Sequence, residues 1–463
     1  MTDFWGSNVW GSVLLFCGLL TALLLGNMLK RSVPFLKRSL VPTSVIGGAL
    51  VLTFTALWRV ISGESFMEAD FFNGKGYDLL EILTYHCLAL GFIAQTLCSS
   101  KRKFDKERNK DIFNTGVSTV STYLIQAIVG MGITVVASFV IEGFFPAAGI
   151  LLPFGYGQGT GQALNYGNIY EIEHGFVGGK SFGLTVAAMG FLSAAIGGVI
   201  HTNVQHKRGK LVLSDKSKET VKPEDVQGEG EIPMQESVDK MTVQFALIGV
   251  SYLIAYGLMW LLGKILPSMK SVIFGFNFLL GVIAAILVKG VKNFLHKKNI
   301  IHREYGNNFL LTRASNFFFD FMIVTGVAAI RLEMLERYWG ILLILGVVGL
   351  VITYIYQRII CRVLFPHYCE EQFLAMYGML TGTASSGIIL LREVDGNFET
   401  PAAENLVYQN LPAIVFGFPM MLLANLAPDR PYLTLIILVL FFLMMNVILF
   451  RQFLFKPAKK KGK

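Results

Sequence analysis

Charged residues are scarce in this 463-residue chain: Asp, Glu, Lys and Arg make up 15% of it, against roughly 25% in soluble domains. Cysteine is also rare. The five cysteines form neither a CxxC pair nor a Cys/His metal spacing, so we expect no disulfide framework and no zinc site. Hydrophobic residues make up 53% of the chain, and its mean hydropathy is +0.56. The composition excludes an ordinary soluble domain and predicts a polytopic membrane protein.

Motifs that would indicate an enzyme are missing as well. The chain has no Gly-x-x-x-x-Gly-Lys sequence, which argues against an ATP-driven pump, and no Ser/His/Asp set stands out. The Gly155-x-Gly-x-Gly stretch superficially resembles a dinucleotide-binding loop, but no strand precedes it. We therefore expect neither enzymatic activity nor a bound cofactor. The net charge of +9 fits Lys and Arg in cytoplasmic loops, so it does not predict nucleic-acid binding.

Long apolar segments dominate what remains. A helix needs roughly 20 apolar residues to cross the hydrocarbon core of a bilayer. Eleven segments meet that length and are predicted to span the membrane: 9–29, 41–61, 78–98, 112–141, 176–200, 241–263, 271–289, 315–333, 340–361, 403–426 and 431–450.

The loops that carry Lys and Arg orient these spans, because basic residues concentrate on the cytoplasmic side. Basic clusters at 30–38 and 101–110 follow the first and third spans. The N-terminus is therefore predicted to lie outside. The lysines at 456–463 follow the last span, so the C-terminus is predicted to be cytoplasmic.

Each span must cross from one face of the membrane to the other. With the basic loops on the cytoplasmic side, two of the intervening segments must therefore return to the face they left. Residues 143–175 leave and return outside, whereas residues 363–402 leave and return on the cytoplasmic side, so both are predicted as re-entrant hairpins. The predicted fold is an all-α polytopic membrane protein with two inverted-topology repeats, each of five transmembrane helices and one hairpin. Its parts are repeat 1 at 1–204, a flexible cytoplasmic linker at 205–240, repeat 2 at 241–426, and an extra helix with a basic tail at 427–463.

Glycine and small polar residues interrupt both hairpins, at Pro153–Gln162 and at Tyr377–Gly387. Paired interruptions in corresponding positions of two halves point to a transporter's binding site. The alternative is that these small residues only allow helices to pack closely. The predicted substrate-binding residues are Gln158, Gly159, Thr160, Gly161, Gln162 and Asn165 in the first stretch, and Gly382, Thr383, Ser385 and Ser386 in the second.

Arg392 follows the second stretch and is a candidate partner for a substrate carboxylate, because a guanidinium binds carboxylates with two hydrogen bonds. The alternative is an ion pair with the neighbouring Glu393 or Asp395 at the rim of the hairpin.

Asp320 lies within the first turns of a predicted span, where a carboxylate is costly and usually faces a cavity or a partner. We predict a sodium ligand there, together with Thr383 and Asn405. A proton relay and an interfacial residue paired with Arg313 are the alternatives. Asn405 and Gln409 are four residues apart and share one helix face, so Gln409 is a further candidate for substrate binding.

The chain resembles the bacterial sodium/glutamate symporter family, as a distant member. The resemblance rests on Gly155–Ala163, Phe182–Ala188, Ala195–Gly198 and Thr381–Ser386. It implies sodium-coupled uptake of glutamate or a similar small anionic solute by alternating access, with the substrate between the two hairpins. It also implies a homodimer in the bacterial inner membrane. A symporter of another carboxylate, coupled to sodium or protons, a channel, and a membrane-embedded sensor or scaffold remain as alternatives.

Overall fold

The structure is a computed structural model that describes residues 6–38, 40–98, 106–209, 211, 231–234, 238–396 and 399–454. These residues form α-helices and short 3-10 turns, with one isolated bridge between Glu231 and Glu304 and no strand. The helices are α1 Ser7–Ser32, α2 Pro34–Arg38, α3 Thr43–Ser62, α4 Gly76–Leu97, α5 Lys106–Val140, α6 Leu151–His174, α7 Gly179–Lys207, α8 Lys240–Ile265, α9 Lys270–Gly275, α10 Asn277–Lys297, α11 Asn308–Ala328, α12 Trp339–Leu364, α13 Cys369–Thr381, α14 Ala384–Arg392, α15 Ala402–Tyr408, α16 Asn410–Leu426, α17 Pro431–Leu449 and α18 Arg451–Leu454.

Nine of the described helices are long and apolar enough to cross a membrane, and each overlaps one of the eleven predicted spans; the span predicted at 271–289 was placed too early, because its helix is Asn277–Lys297. They are α1, α3, α4, α5, α7, α8, α10, α12 and α17. The predicted span 403–426 is instead two helices, α15 and α16, bent by 50°. Pro412, in the first turn of α16, has no N–H to donate to the Tyr408 carbonyl and therefore cannot continue α15 without a break.

The predicted span 315–333 was misplaced. The helix there is α11, which begins at Asn308 and ends at Ala328. Asn307 caps it, accepting a hydrogen bond from the backbone N–H of Leu310 at 2.8 Å. The hydropathy pattern alone missed the first turns because they contain Thr312 and Arg313.

The chain forms two compact units, each built from segments of both halves of the chain. Unit 1 comprises Met1–Lys103, Thr160–Ala188 and Lys216–Glu336, and unit 2 comprises Phe104–Gly159, Met189–Asp215 and Arg337–Lys463. The chain thus passes from one unit to the other inside α6 and again inside α7.

The core of unit 1 lies where α4, α8, α10 and α11 meet. Aliphatic side chains of these helices bury one another there, and close van der Waals packing drives the association of helices in a membrane. The buried members are Ile93, Ala94, Leu97, Ile248, Ala285, Leu311 and Ala314.

The core of unit 2 surrounds α5, which packs against α12, α16 and α17. The last long helix, α17, makes polar contacts with the middle of α5: Asn446 donates to the Ser121 hydroxyl at 3.1 Å and accepts from the Tyr356 hydroxyl at 2.8 Å. Arg451, which follows α17, donates to the Asn114 side chain at 3.1 Å. The extra helix is therefore joined to the α5 core by hydrogen bonds between side chains.

The predicted linker 205–240 falls largely outside the described residues. Its start continues α7 as far as Lys207. Its end is held in place: the Lys240 ammonium, which is fully buried, contacts the Glu231 carboxylate at 2.8 Å, and Asn307 donates to the same carboxylate at 2.7 Å.

Candidate functional site

The first glycine-rich stretch is a helix with a break of one residue. Gly159 has φ 78° and ψ −169°, a conformation that is essentially restricted to glycine, and α6 continues on both sides of it. Before the break the chain runs back along α5: Thr134 donates to the Pro146 carbonyl at 2.7 Å, and Tyr123 donates to the Gly157 carbonyl at 3.0 Å. The irregularity that the sequence predicted over ten residues is thus concentrated in one.

Thr160, just after the break, has its hydroxyl satisfied. It donates to the Met322 carbonyl on α11 at 3.1 Å and is fully buried. A Cβ added at Gly326 would lie 2.5 Å from the Thr160 Cβ, so this glycine is required for the close approach. Gly161 is buried in the same region, against Leu88. The contacts of Thr160 are those of a packing residue.

Gln162 and Asn165 form a small polar group in unit 1. Asn165 donates to the Gln162 side-chain oxygen at 3.2 Å and also to the Gly275 carbonyl. The Gln162 nitrogen is buried and has no hydrogen-bond partner among the described residues. It is a donor available to a ligand. Gln158, which precedes the break, is half-buried in unit 2.

The second stretch is the turn of a helical hairpin. Helices α13 and α14 pack so closely that a Cβ on Gly378 would lie 2.7 Å from the Gly387 Cα. The turn consists of Gly382 and Thr383, and Thr383 precedes α14 without capping it through its side chain. We call Thr381–Ser386 the tip of this hairpin.

Two hydroxyls at the tip are unsatisfied. The oxygens of Thr383 and Ser386 are buried, and neither has a hydrogen-bond partner within the described part of the chain. Ser385, between them, is half-buried. Because a buried hydroxyl without a partner is costly, such atoms mark a place where a ligand, an ion or water completes the hydrogen bonding.

Gln126 on α5 reaches the same tip and was missed by the sequence prediction. Its amide nitrogen donates to the Leu380 carbonyl at 2.9 Å and to the Thr353 hydroxyl at 2.8 Å. Its oxygen is buried and has no partner among the described side chains and backbone. A signal was available: polar residues recur along one face of α5, at Thr115, Ser118, Thr119, Thr122 and Gln126.

Asn405 and Gln409 are both buried, as partners of hairpin and α5 residues. Asn405 donates to the Gln372 side chain at 3.0 Å, and its own oxygen is buried without a partner in the described residues. Gln409 accepts from the Thr119 hydroxyl at 2.9 Å. These amides connect the polar face of α5 to the hairpin.

Arg392 is exposed at the end of α14 that is farthest from the tip. It follows Thr383 by nine residues, which is about 14 Å along a helix axis. The tip and the guanidinium that the sequence placed in one substrate site therefore lie at opposite ends of one helix.

Asp320 lies on α11 in unit 1, with its carboxylate near the Ser44 hydroxyl on α3. Thr383 and Asn405, the other two predicted sodium ligands, belong to unit 2. In the described part of the chain, no group of three or more His, Cys, Asp or Glu side chains is arranged to hold a metal ion.

Unit 1 also contains a cavity of about 360 Å³, a volume in the range of small-molecule sites. A chain of ion pairs crosses its wall: the Lys180 ammonium lies 2.8 Å from Glu81 and 3.8 Å from Glu171, and Arg331 lies 3.5 Å from Glu81. Its polar lining consists of Glu81, Tyr85, Asn165, Asn168, Glu173 and Lys180.

We expect Lys180→Met to lower the stability of the protein by about 1–3 kcal/mol, because it leaves a mostly buried carboxylate without its closest partner. The double variant Glu81→Gln/Lys180→Met should recover most of that loss. Thermal unfolding in detergent measures both. Lys75→Met, at an exposed lysine, is the control and should have no effect. If the double variant were as unstable as Lys180→Met, the lost stability would not come from the unpaired Glu81 carboxylate.

Long apolar helices, a helix with a one-residue break and a hairpin with a polar tip are what a multi-pass membrane transporter needs, because interrupted helices supply the binding sites of such proteins. The chain belongs to the sodium/glutamate symporter family, whose model matches residues 12–370. The search of curated proteins gives no match. The match confirms the resemblance seen in the sequence. It includes the whole of α6 and ends within the first turn of α13, before the tip.

Proposed function

We propose that the protein is a sodium-coupled symporter of glutamate or a similar small anionic solute, and that the tip Thr381–Ser386 takes part in binding. The observation that supports this most strongly is that the Thr383 and Ser386 oxygens in the tip are buried without a partner in the described residues, as is the oxygen of Gln126, whose nitrogen donates to the Leu380 carbonyl beside the tip. Neutral oxygen atoms of side chains and unwound backbone are the ligands that sodium takes in such transporters.

The polarity of the helices supports an anionic substrate. Helix α14 begins at Ala384, so its first backbone N–H groups point toward the tip, where a helix N-terminus attracts a carboxylate. Gly159 and Gly382 would allow backbone to approach a ligand closely.

We further propose that 143–175 and 363–402 are re-entrant hairpins of two inverted repeats, and that substrate and ion reach them by alternating access. A single cysteine at Gln158, which is half-buried, should then react with a membrane-impermeant reagent from outside, and one at Ser385 from the cytoplasmic side. Both would be placed in a chain without the native cysteines. Labelling of both positions from one face only would overturn the inverted arrangement. The homodimer and the inner-membrane location remain predictions.

Reconstituted vesicles test the function. With an inward sodium gradient, labelled glutamate should accumulate above its equilibrium level, and replacing sodium by potassium should abolish the accumulation. Competition with other carboxylates identifies the preferred solute. Accumulation of a different carboxylate would correct the substrate, and accumulation driven by a proton gradient would correct the coupling ion. Flux without a gradient and without accumulation would mean a channel.

A further inference from the structure

A group of buried charges lies at the base of the hairpin, at the opposite end of α13 from the tip. Arg358 on α12 makes two parallel hydrogen bonds to the Glu370 carboxylate, at 2.7 and 2.6 Å. His201 on α7 contacts the same carboxylate at 2.8 Å. Three separate helices are therefore joined through one carboxylate in the first turn of α13.

This group is shielded from solvent. His201 is 0% exposed, and the side chains of Arg358 and Glu370 are 9% and 14% exposed. Burying charges is expensive, and a buried ion pair is often no more stable than apolar residues of the same size. Ionisable residues within membrane segments therefore usually serve a function.

His201 is held on every side. Its other ring nitrogen contacts the Tyr354 hydroxyl at 2.9 Å, and its ring packs on Phe373 with the centroids 4.2 Å apart. Because an ionised carboxylate only accepts hydrogen bonds, Nε2–H of His201 donates to Glu370, and the other ring nitrogen meets a tyrosine hydroxyl that can donate or accept. Contacts with Glu370, Tyr354 and Phe373 thus fix the position of the His201 ring.

Helix α13 remains tied to α7 from its base to its tip. Tyr377, in the middle of α13, donates to the Ser193 carbonyl at 2.9 Å. Near the tip, a Cβ added at Gly190 would lie 2.3 Å from the Thr381 carbonyl oxygen. A shift of α13 at its base would therefore be transmitted along a rigid helix to the tip.

We propose that Arg358, Glu370 and His201 form an ionic anchor that positions α13 and, through it, the oxygens of Thr383 and Ser386. The three are positioning residues, since they act on the ligand through the hairpin. The proposal rests on the proposed function to the extent that the tip binds the coupling ion. Its chemistry is specific: a bidentate guanidinium–carboxylate pair, braced by an imidazole.

The test compares Glu370→Gln with Glu371→Gln in reconstituted vesicles. Glu371 is the neighbouring carboxylate, and no ion pair to it occurs in the described residues. If loss of the anchor leaves one tip in ten correctly placed, the sodium concentration for half-maximal uptake rises about tenfold. We expect that rise for Glu370→Gln, a maximal rate within about twofold of the parent, and no change for the control. Arg358→Lys keeps the positive charge but cannot make both parallel hydrogen bonds. Its sodium concentration for half-maximal uptake should lie between those of the parent and of Glu370→Gln.

A second measurement separates the anchor from the proposed function. The reaction rate of a cysteine at Ser385, in a chain without native cysteines, should rise with Glu370→Gln and not with Glu371→Gln. The exchange Arg358→Glu/Glu370→Arg should restore part of the parent behaviour. Equal labelling rates and equal sodium dependence in both single variants would overturn the anchor. If Glu370→Gln changes the labelling rate but uptake does not depend on sodium in any variant, the anchor is supported and sodium binding at the tip is wrong.

Discussion

Thr383→Val should remove sodium-driven uptake at physiological sodium while leaving the protein folded. The Thr383 oxygen is buried without a partner in the described structure, so in the proposed site it is a ligand of the ion or the substrate. Losing one contact to a charged group costs about 1.5–3 kcal/mol, which corresponds to roughly 10–100-fold weaker binding. Valine has nearly the same shape, so packing at the tip is preserved.

Stability and binding should separate in this variant. Because the parent hydroxyl is unsatisfied, its removal should leave the unfolding temperature in sodium-free buffer unchanged or raise it. The stabilisation that sodium gives the parent should disappear. Thr381→Val is the matched control, since the Thr381 hydroxyl already donates to the Tyr377 carbonyl at 2.6 Å in its own helix. Normal sodium dependence in Thr383→Val would remove the tip from the binding site.

Gly159→Ala should be the most damaging small substitution in α6. A Cβ at φ 78° and ψ −169° carries a backbone strain of about 1–3 kcal/mol, and the chain can relieve it only by moving the break. Moving the break would displace Gln158, Thr160 and Gln162 together. We therefore expect uptake to fall at least tenfold, a loss of about 1.4 kcal/mol or more in transition-state stabilisation.

The control for this substitution is Gly132→Ala on α5, where an added Cβ meets nothing within 4 Å. That variant should keep or gain stability, because alanine favours a helix over glycine by about 1 kcal/mol. Uptake and thermal unfolding should be measured together for both. If Gly159→Ala transports normally, the break is not required in its present position.

Much of the helical framework is predictable from hydropathy, since a lipid-facing helix must be apolar over its whole length. The failures occur where a helix begins with polar residues. Helix α11 begins with Thr312 and Arg313 in its first two turns, which a search for apolar runs rejects. The cap at Asn307 was the better signal for its start. The division into two units, which takes segments from both halves of the chain, could not be read from sequence order.

Some residues of the candidate site were likewise predictable from the sequence, and others were not. Glycines and hydroxyls at the tip were recognisable because they interrupt an apolar sequence. Gln126 and Glu370 were missed because their importance depends on partners distant along the chain: Glu370 is 169 residues from His201, and Gln126 is 254 residues from Leu380. One sequence gives the chemical type of such residues but not their partners.

The hydrogen bonds between α17 and α5 have a consequence for synthesis of the protein. Ser121 also contacts the Tyr356 hydroxyl on α12, but Asn446 and Arg451, the later partners of Ser121 and Asn114, are made only after more than 300 further residues. At about 5–20 residues per second, that delay is on the order of 15–60 s. During it, a helix with a polar face must wait in the membrane without its final neighbour. Truncation just before α17 should therefore leave α5 exposed to degradation in the cell, even though every residue of the proposed tip is already present.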